Sequence, residues 1–295
     1  MAGPRSINYP SRGLTIAADL YLPLSSAPDR KGAALVVGHP GTGIKEQASG
    51  LYARRLAEAG FITLAFDAAY YGESGGTPRG LEDPAQRVED IKCAATYLAT
   101  EGAAAGVDPS RIGLVGICAS GGYGIFAAAT DMRLRAVAVV SLGCFGQLTR
   151  ESMDSATLRQ QFAQGAEDRL AEARGEEPTM IGILDVPGAG EAVAYYRTEG
   201  RGKHPRSKNE YVRRSIELMA VYDSFAHIDW IAPRPILMIM GSEAVTRHMT
   251  EGAFKRAAEP KELIVIEGKQ HVDLYDDTSE SVPKMVEFLA KALAE

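Results

Sequence analysis

A cysteine and a serine compete for one reactive position in the segment GLVGICASGG, which runs from Gly113 to Gly122. Small residues two positions before and two positions after a nucleophile are typical of a tight strand-to-helix turn, because strand and helix nearly touch there. Cys118 fits the centre of GICAS, and Ser120 fits the centre of CASGG. Either side chain could attack a carbonyl carbon and form a covalent acyl intermediate.

The length of the preceding strand separates the two registers. The apolar run RIGLVGI predicts a strand that ends at Ile117, and the attacking residue should follow at once. This favours Cys118, with Ser120 as the small residue two positions later. Two alternatives stay open: the Ser120 register, and a Cys118 that is only a packed thiol on an inactive turn. The helix terminus favours the thiolate, which predicts a lowered pKa for Cys118.

A thiol nucleophile also needs a base, and His271 is the best placed of the five histidines. It follows the last apolar strand, in EGKQHVDLYD, and so comes last along the chain. An acid that orients it should follow the strand PILMIMG, where the turn GSEAVT offers Glu243. Glu243 could equally be a solvated turn residue. We therefore predict Cys118, His271 and Glu243 as the catalytic residues.

Backbone amides that stabilise an oxyanion are expected in two segments. One is Ala119, directly after the predicted nucleophile. The other lies in HPGTG, where Pro40 has no amide hydrogen, so Gly41 or Thr42 must supply it.

Three tyrosines are predicted to lie within reach of the Cys118 thiol and to bind substrate. Tyr70 and Tyr71 follow a predicted strand, and Tyr123 lies five residues after Cys118 in the same predicted helix. Packing in a second layer is the alternative for all three.

Alternating strands and helices must position these residues. GLTIAADLYLP alternates like a strand of an antiparallel pair, and short apolar runs predict buried strands. These runs are residues 33–38, 61–67, 111–117, 134–143, 235–241 and 262–268. Helical patterns cover residues 46–59, 83–100, 119–130 and 279–294. The pattern predicts an α/β fold, with a mostly parallel, doubly wound sheet in a single domain spanning residues 1–295.

Residues 147–229 interrupt the alternation. This segment has no strong strand signal and is rich in charged residues and helix formers. It is predicted to be a helical cap, because ligands of such sheets bind outside the carboxyl ends of the strands. Extra helical packing without a role in binding is the alternative.

The composition of the chain argues against several classes of binding partner. The chain has 295 residues, of which 45% are hydrophobic, and a formal net charge of -6. That charge argues against nucleic acid, and no apolar run is long enough for a membrane span. Without a signal-peptide pattern, and with three unpaired cysteines, a cytoplasmic location is expected. No metal-ligand spacing or phosphate-binding loop is seen, so no metal or cofactor is predicted.

The segments HPGTGIKEQ, AFDAAYYGESGG, RIGLVGICASGGY and EGKQHVDLYDD, in this order, resemble the α/β-hydrolase superfamily. The cysteine at the turn is a feature in which the chain resembles the dienelactone hydrolase branch. The sequence of these segments is similar to that of uncharacterised bacterial hydrolases that resemble fungal polyketide transferases. The resemblance covers nearly the whole chain and implies an α/β-hydrolase fold with a cap. It maps Cys118 and His271 onto nucleophile and base. Dienelactone hydrolases carry an aspartate as the third member, where this chain offers Glu243.

A cysteine nucleophile restricts the chemistry. The conjugate acid of a thiolate has a pKa of about 8.5, against about 16 for a water-like alkoxide. An intermediate on cysteine therefore expels activated groups best, which predicts hydrolysis of an activated ester, lactone or thioester. Two alternatives remain: an acyltransferase that uses the same intermediate, and a catalytically silent module that binds a small ligand. The expected partner is a small-molecule acyl substrate, and a homodimer is left open.

Overall fold

The computed structural model describes residues 3–185 and 189–294. Ten strands form in these residues: β1 Arg5–Ser11, β2 Leu14–Tyr21, β3 Ala34–Gly38, β4 Ile62–Phe66, β5 Ile112–Ile117, β6 Leu134–Val140, β7 Met180–Gly182, β8 Glu210–Val212, β9 Ile236–Gly241 and β10 Lys261–Ile266. Nine α-helices accompany them: α1 Ala48–Glu58, α2 Pro84–Ala99, α3 Ala119–Thr130, α4 Phe145–Ser152, α5 Ser155–Ala173, α6 Gly190–Tyr196, α7 Ser215–Ala220, α8 Arg247–Arg256 and α9 Ser281–Ala292. Short 3-10 turns lie at Glu101–Ala105, Ile228–Ile231 and Asp273–Tyr275.

Eight strands form one sheet in the order β1-β2-β4-β3-β5-β6-β9-β10. The six strands from β4 to β10 in this order are mutually parallel, whereas β2 runs antiparallel to both β1 and β4. The mostly parallel sheet predicted from the sequence is confirmed. Its central strands, ALVVG and IGLVGI, are buried along their whole length, as expected where helices cover both faces.

Each face of the sheet carries its own apolar core. Helices α2, α3 and α8 contribute to one core, and α1 and α9 to the other. Helix α2 begins as predicted, because the Asp83 carboxylate accepts the amide hydrogens of Ala85 and Gln86 while Pro84 occupies the first turn.

Two features were not predicted. Strand β1 was missed because its sequence, RSINYPS, contains Pro10, which normally argues against a strand. The proline is tolerated because β1 is the edge strand of the sheet. The segment between β6 and β9 is also not purely helical, since β7 and β8 pair in a small antiparallel sheet. Each of these strands has only three residues, too few for a periodic signal.

No helix in the described parts of the chain is both long enough and apolar enough to cross a membrane.

Candidate active site

Cys118 occupies the turn between β5 and α3. It follows the last residue of the strand, Ile117, and precedes the first residue of the helix, Ala119. Its φ of 53° and ψ of -116° lie outside the regions that a side chain normally allows. Such a conformation costs on the order of 1–3 kcal/mol and persists only where surrounding contacts impose it. The backbone therefore projects the Cys118 side chain out of the turn.

Close packing on both sides imposes this turn. A Cβ atom on Gly116 would lie 2.5 Å from the Ser120 carbonyl oxygen and 2.6 Å from the Gly121 Cα atom. A Cβ atom on Gly38, in the neighbouring strand β3, would lie 2.6 Å from the Ser120 Cβ atom. Small residues are thus required two positions before and after Cys118, as the sequence predicted.

Ser120 is committed to a structural contact. Its side chain is buried, and its Oγ donates a hydrogen bond of 2.6 Å to the carbonyl oxygen of His39. The geometry therefore gives Ser120 the role of a small packing residue and leaves Cys118 at the projecting position.

Two backbone amides face the Cys118 sulfur. The amides of Gly41 and Ala119 hydrogen-bond the sulfur when it is charged, and both lower the pKa of the thiol. Both amides belong to the segments predicted to form an oxyanion hole. The neighbouring Thr42 is buried with a φ of 56°, and its Oγ1 has no hydrogen-bond partner within the described residues. Gly41 is thus the member of the predicted pair that contacts the sulfur.

The loop that carries Gly41 is held by His39. The backbone amide of Ala68 donates to His39 Nε2 at 3.0 Å, so the proton lies on Nδ1, which donates to the Pro40 carbonyl oxygen at 2.6 Å. Arg87 Nη2 also donates to the His39 carbonyl oxygen at 3.2 Å. Burial lowers the pKa of His39 well below its usual value, and the charge of Arg87 lowers it further. His39 is therefore a neutral structural residue.

Burial opposes ionisation of Cys118. Although the residue keeps part of its surface accessible, burial is the largest influence on the thiol and raises its pKa. The Tyr275 hydroxyl, the two amides and the charge of Arg87 lower the pKa without reversing the shift. The lowered pKa predicted from the helix terminus is thus wrong, because desolvation outweighs the favourable dipoles.

His271 follows β10 and is buried. Its Nδ1 lies 2.6 Å from Thr246 Oγ1, and its Nε2 lies 3.0 Å from Tyr275 Oη. Its backbone amide donates to Glu191 Oε2 at 3.0 Å. Burial lowers the pKa of His271 to about 4, while the charge of Glu191 partly offsets this shift. His271 is therefore neutral at pH 7 and able to accept a proton.

Glu243 does not meet His271 in the structure. The glutamate is exposed, its amide donates to the Lys269 carbonyl oxygen, and its carboxylate accepts from Ser242 Oγ at 3.4 Å. Thr246, the last residue of the same GSEAVT turn, lies against Nδ1 instead. Sequence reasoning missed Thr246 because only carboxylates were considered as partners for the imidazole.

Tyr275 is the second residue that sequence reasoning missed. Its hydroxyl lies 3.0 Å from His271 Nε2 and is near enough to the Cys118 thiol to lower the pKa of that thiol. Tyr275 is thus adjacent to both the thiol and the imidazole. The available signal was its position in EGKQHVDLYDD, four residues after His271, where a short 3-10 turn brings the two rings together.

The three predicted substrate-binding tyrosines differ in their surroundings. Tyr123 is buried, and its hydroxyl donates to Glu82 Oε1 at 2.9 Å. Tyr70 and Tyr71 line a cavity of about 370 Å³ together with Thr42. The tyrosine whose hydroxyl lowers the pKa of the Cys118 thiol is Tyr275 rather than any of these three.

The segment between β6 and β9 contacts both loops that flank Cys118. A Cβ atom on Gly41 would lie 1.9 Å from the Phe145 ring, so the phenyl group rests directly on the loop that carries Gly41. Glu191 binds the backbone at His271, as described above. Phe145 also lines an apolar cavity of about 540 Å³ formed by this segment. The neighbourhood of Cys118 is therefore partly built by the inserted residues.

The chain is similar to several known proteins. Residues 31–282 match the model of a family described as the alpha/beta hydrolase family. An uncharacterised protein of Pseudomonas aeruginosa is 38% identical over 286 residues, which cover 92% of this chain and 76% of that protein. The crystal structure of that protein superposes with a TM-score of 0.90 at 35% identity, covering 99% of this chain and 95% of the other.

Among the fungal relatives are proteins whose names describe an activity. One, named a thiohydrolase, comes from Aspergillus aculeatus and is 26% identical over 274 residues, covering 88% of this chain and 83% of its own. Another, named a polyketide transferase, comes from Penicillium crustosum and is 26% identical over 299 residues, covering 95% and 94% of the two chains.

Proposed function

The chain belongs to the alpha/beta hydrolase family, and from this premise we propose that it hydrolyses an activated ester, lactone or thioester through an acyl intermediate on Cys118. The observation that carries the proposal is the position of the Cys118 sulfur. It projects from a strained turn and faces the amides of Gly41 and Ala119. The Tyr275 hydroxyl is near the sulfur and lies 3.0 Å from Nε2 of the neutral His271 imidazole.

The first half-reaction forms the acyl intermediate. The Cys118 sulfur attacks the carbonyl carbon, and the thiol proton is transferred to His271. The carbonyl oxygen gains negative charge, which the amides of Gly41 and Ala119 stabilise. When the tetrahedral intermediate collapses, the carbon–leaving-group bond breaks and the leaving group takes the proton back from His271.

The second half-reaction releases the acid. A water molecule attacks the thioester carbon, gives its proton to His271, and the Cys118 sulfur leaves and is reprotonated. Because a thiolate is a much better leaving group than an alkoxide, the first intermediate derived from an alkyl ester would mostly return to substrate. Aryl esters, enol-lactones and thioesters avoid this return, so they are the proposed substrate class.

The partner of His271 shapes the strength of the base. Thr246 Oγ1 lies 2.6 Å from Nδ1 but carries no charge. Glu191 binds the backbone amide of His271 and influences the ring only by its charge. We infer that Thr246 holds the imidazole in the tautomer whose Nε2 accepts a proton. The resulting imidazolium is stabilised less than it would be by a carboxylate on Nδ1.

Acyl transfer is the second candidate, and the name of the Penicillium crustosum relative favours it. In that case an alcohol or thiol replaces water in the second half-reaction. Product analysis in the presence of an added alcohol distinguishes the two: a transferase yields the new ester in preference to free acid, although water is in large excess.

The experiment compares three variants with an aryl ester and an acyl thioester. Cys118→Ala should abolish turnover, and Cys118→Ser should lower kcat by orders of magnitude because a hydroxyl depends wholly on the weak base. Ser120→Ala is the matched control at the same turn and should keep most of the activity. Loss of activity in Ser120→Ala together with retention in Cys118→Ala would show that the serine is the nucleophile. Absence of any turnover by the unmodified protein would favour a silent binding module.

A further inference from the structure

We propose that Tyr275 is a third catalytic residue, which carries the proton between the Cys118 thiol and His271. The inference rests on the proposed function, because it describes how the nucleophile of that reaction reaches its base. It adds a residue for which sequence reasoning predicted no role.

The contacts leave Tyr275 as the link between the two groups. Within the described residues, the His271 ring has two hydrogen-bond partners, Thr246 at Nδ1 and Tyr275 at Nε2. The Nε2 atom, which should accept the thiol proton, is thus occupied by the Tyr275 hydroxyl. The same hydroxyl is near enough to the Cys118 thiol to lower the pKa of that thiol. In this arrangement the phenol oxygen is the group that faces Nε2 and can pass it a proton taken from the sulfur.

The surroundings fix the phenol ring in this position. Tyr275 is 3% exposed and closes the 3-10 turn Asp273–Tyr275. Its ring packs edge-on against Tyr195, with centroids 5.1 Å apart and an interplanar angle of 89°. The backbone at the start of this turn is tied to the inserted segment, because the amides of His271 and Val272 both donate to Glu191. A ring held this firmly suits a fixed relay better than a gate that swings out of the site.

The transfer conserves every proton. As the sulfur lone pair attacks the carbonyl carbon, the thiol proton moves to Tyr275 Oη while the phenol proton moves to His271 Nε2. Tyr275 is a neutral phenol before and after the step, and His271 becomes the imidazolium. The reverse movement returns a proton to the leaving group. Burial raises the pKa of Tyr275 well above its usual value, which agrees with a phenol that never accumulates as phenolate.

The main test is a double-mutant cycle on kcat/KM with an aryl ester. Tyr275→Phe keeps the ring and removes the relay, and it should lower kcat/KM by about 100-fold, the lower range of general acid–base effects. Because the relay leads only to His271, adding Tyr275→Phe to His271→Ala should change kcat/KM by less than about threefold. If Tyr275 were instead an independent oxyanion donor, the two losses would multiply, and the relay would be wrong.

Alkylation of Cys118 by iodoacetamide gives a second readout that involves no oxyanion. The Tyr275 hydrogen bond lowers the thiol pKa, so Tyr275→Phe should move the pH midpoint of alkylation upward. An unchanged midpoint would contradict the contact between the two side chains. Tyr9→Phe is the matched control, since it removes another buried hydroxyl that donates to a backbone carbonyl at 3.1 Å. This control should change neither kcat/KM nor the midpoint.

A measurement on the unmodified protein tests the relay even if the Tyr275→Phe variant does not fold. In mixtures of light and heavy water, a relay that moves two protons in one step predicts a curved dependence of kcat/KM on deuterium fraction. A straight line would indicate a single proton and would overturn the relay. The proposed function fails separately, because it predicts that Cys118→Ala is inactive whatever Tyr275→Phe does.

Discussion

Cys118 and His271 form a pair that is neutral at rest. Burial raises the pKa of the thiol and lowers that of the imidazole to about 4. A thiolate–imidazolium pair would have required the opposite shifts. In the proposed mechanism the thiol is deprotonated only as it attacks, so the base and the path of the proton matter more than the acidity of the thiol.

The neutral pair predicts that two pH profiles separate. Turnover needs neutral His271, so kcat/KM should rise with pH through the His271 pKa near 4 and reach its plateau by about pH 6. Iodoacetamide needs the thiolate, so alkylation of Cys118 should rise only above the ordinary thiol pKa, since burial raises that pKa. Coincident profiles below that value would indicate a pre-formed ion pair instead.

Thr246 is predicted to matter more than Glu243. Thr246→Val removes the acceptor for the Nδ1 hydrogen, and a bond worth about 1–1.5 kcal/mol implies about a tenfold loss of kcat. Thr246→Ser should restore most of it. Glu243→Gln, in the same turn, should leave kcat within about twofold because the carboxylate is exposed and away from the imidazole. A larger loss of kcat in Glu243→Gln than in Thr246→Val would contradict this and would support Glu243 as the acid that orients His271.

Residues fixed by local geometry could be predicted from the sequence, and those fixed by tertiary contacts could not. The position of Cys118 follows from small residues within two positions of it, and the structure places it at the expected turn. Thr246 and Tyr275 reach the His271 ring only because β9 and β10 are adjacent and the turns that follow them meet. The direction of the thiol pKa depends on burial by several distant segments, which no local pattern reports.

At the scale of elements, the site depends on how closely β5 approaches α3. Gly116 lies where a Cβ atom would meet backbone atoms of Ser120 and Gly121. Gly116→Ala should therefore lower the free energy of unfolding by on the order of 1–3 kcal/mol and reduce turnover by shifting Cys118. Urea denaturation at neutral pH measures the first effect.

A glycine within a helix provides the matched control for Gly116→Ala. Gly252, in α8, has open space around its Cα atom, and alanine is favoured over glycine within helices by about 0.5–1 kcal/mol. Gly252→Ala should therefore raise the free energy of unfolding and leave turnover unchanged. Equal destabilisation by both substitutions would mean that the close approach at Gly116 has no special cost.

The inserted segment shows the limit of element prediction. Its charge and helix formers predicted helices, and α4 to α7 are present, but β7 and β8 were missed. The central strands were identified correctly because their long apolar runs are buried on both faces. Short strands that pair across 27 intervening residues (183–209) carry no comparable local signal.

At the scale of the whole molecule, two buried neutral histidines make folding sensitive to acid. Unfolding returns His271 from a pKa of about 4 to its ordinary 6.5, so between these values the unfolded chain binds more protons. The stabilising effect is complete above pH 6.5 and is lost as the pH falls towards 4, by about 3 kcal/mol. His39 acts in the same direction.

This predicts a pH-dependent difference between the protein and His271→Gln. Urea unfolding at pH 7.5 and at pH 5 should show a smaller loss of stability for the variant, although His39 leaves it some acid sensitivity. An equal or larger loss in the variant would mean that His271 is protonated in the folded protein over this range.

The central claim is that Cys118 carries the acyl group. An activated aryl ester is mixed with the protein, the reaction is quenched with acid within one turnover, and the digested chain is analysed by mass spectrometry with fragmentation. We expect an added acyl mass on Cys118, absent from Cys118→Ala and retained in Ser120→Ala. An acyl mass on Ser120, or full turnover after Cys118 has been completely alkylated, would contradict it.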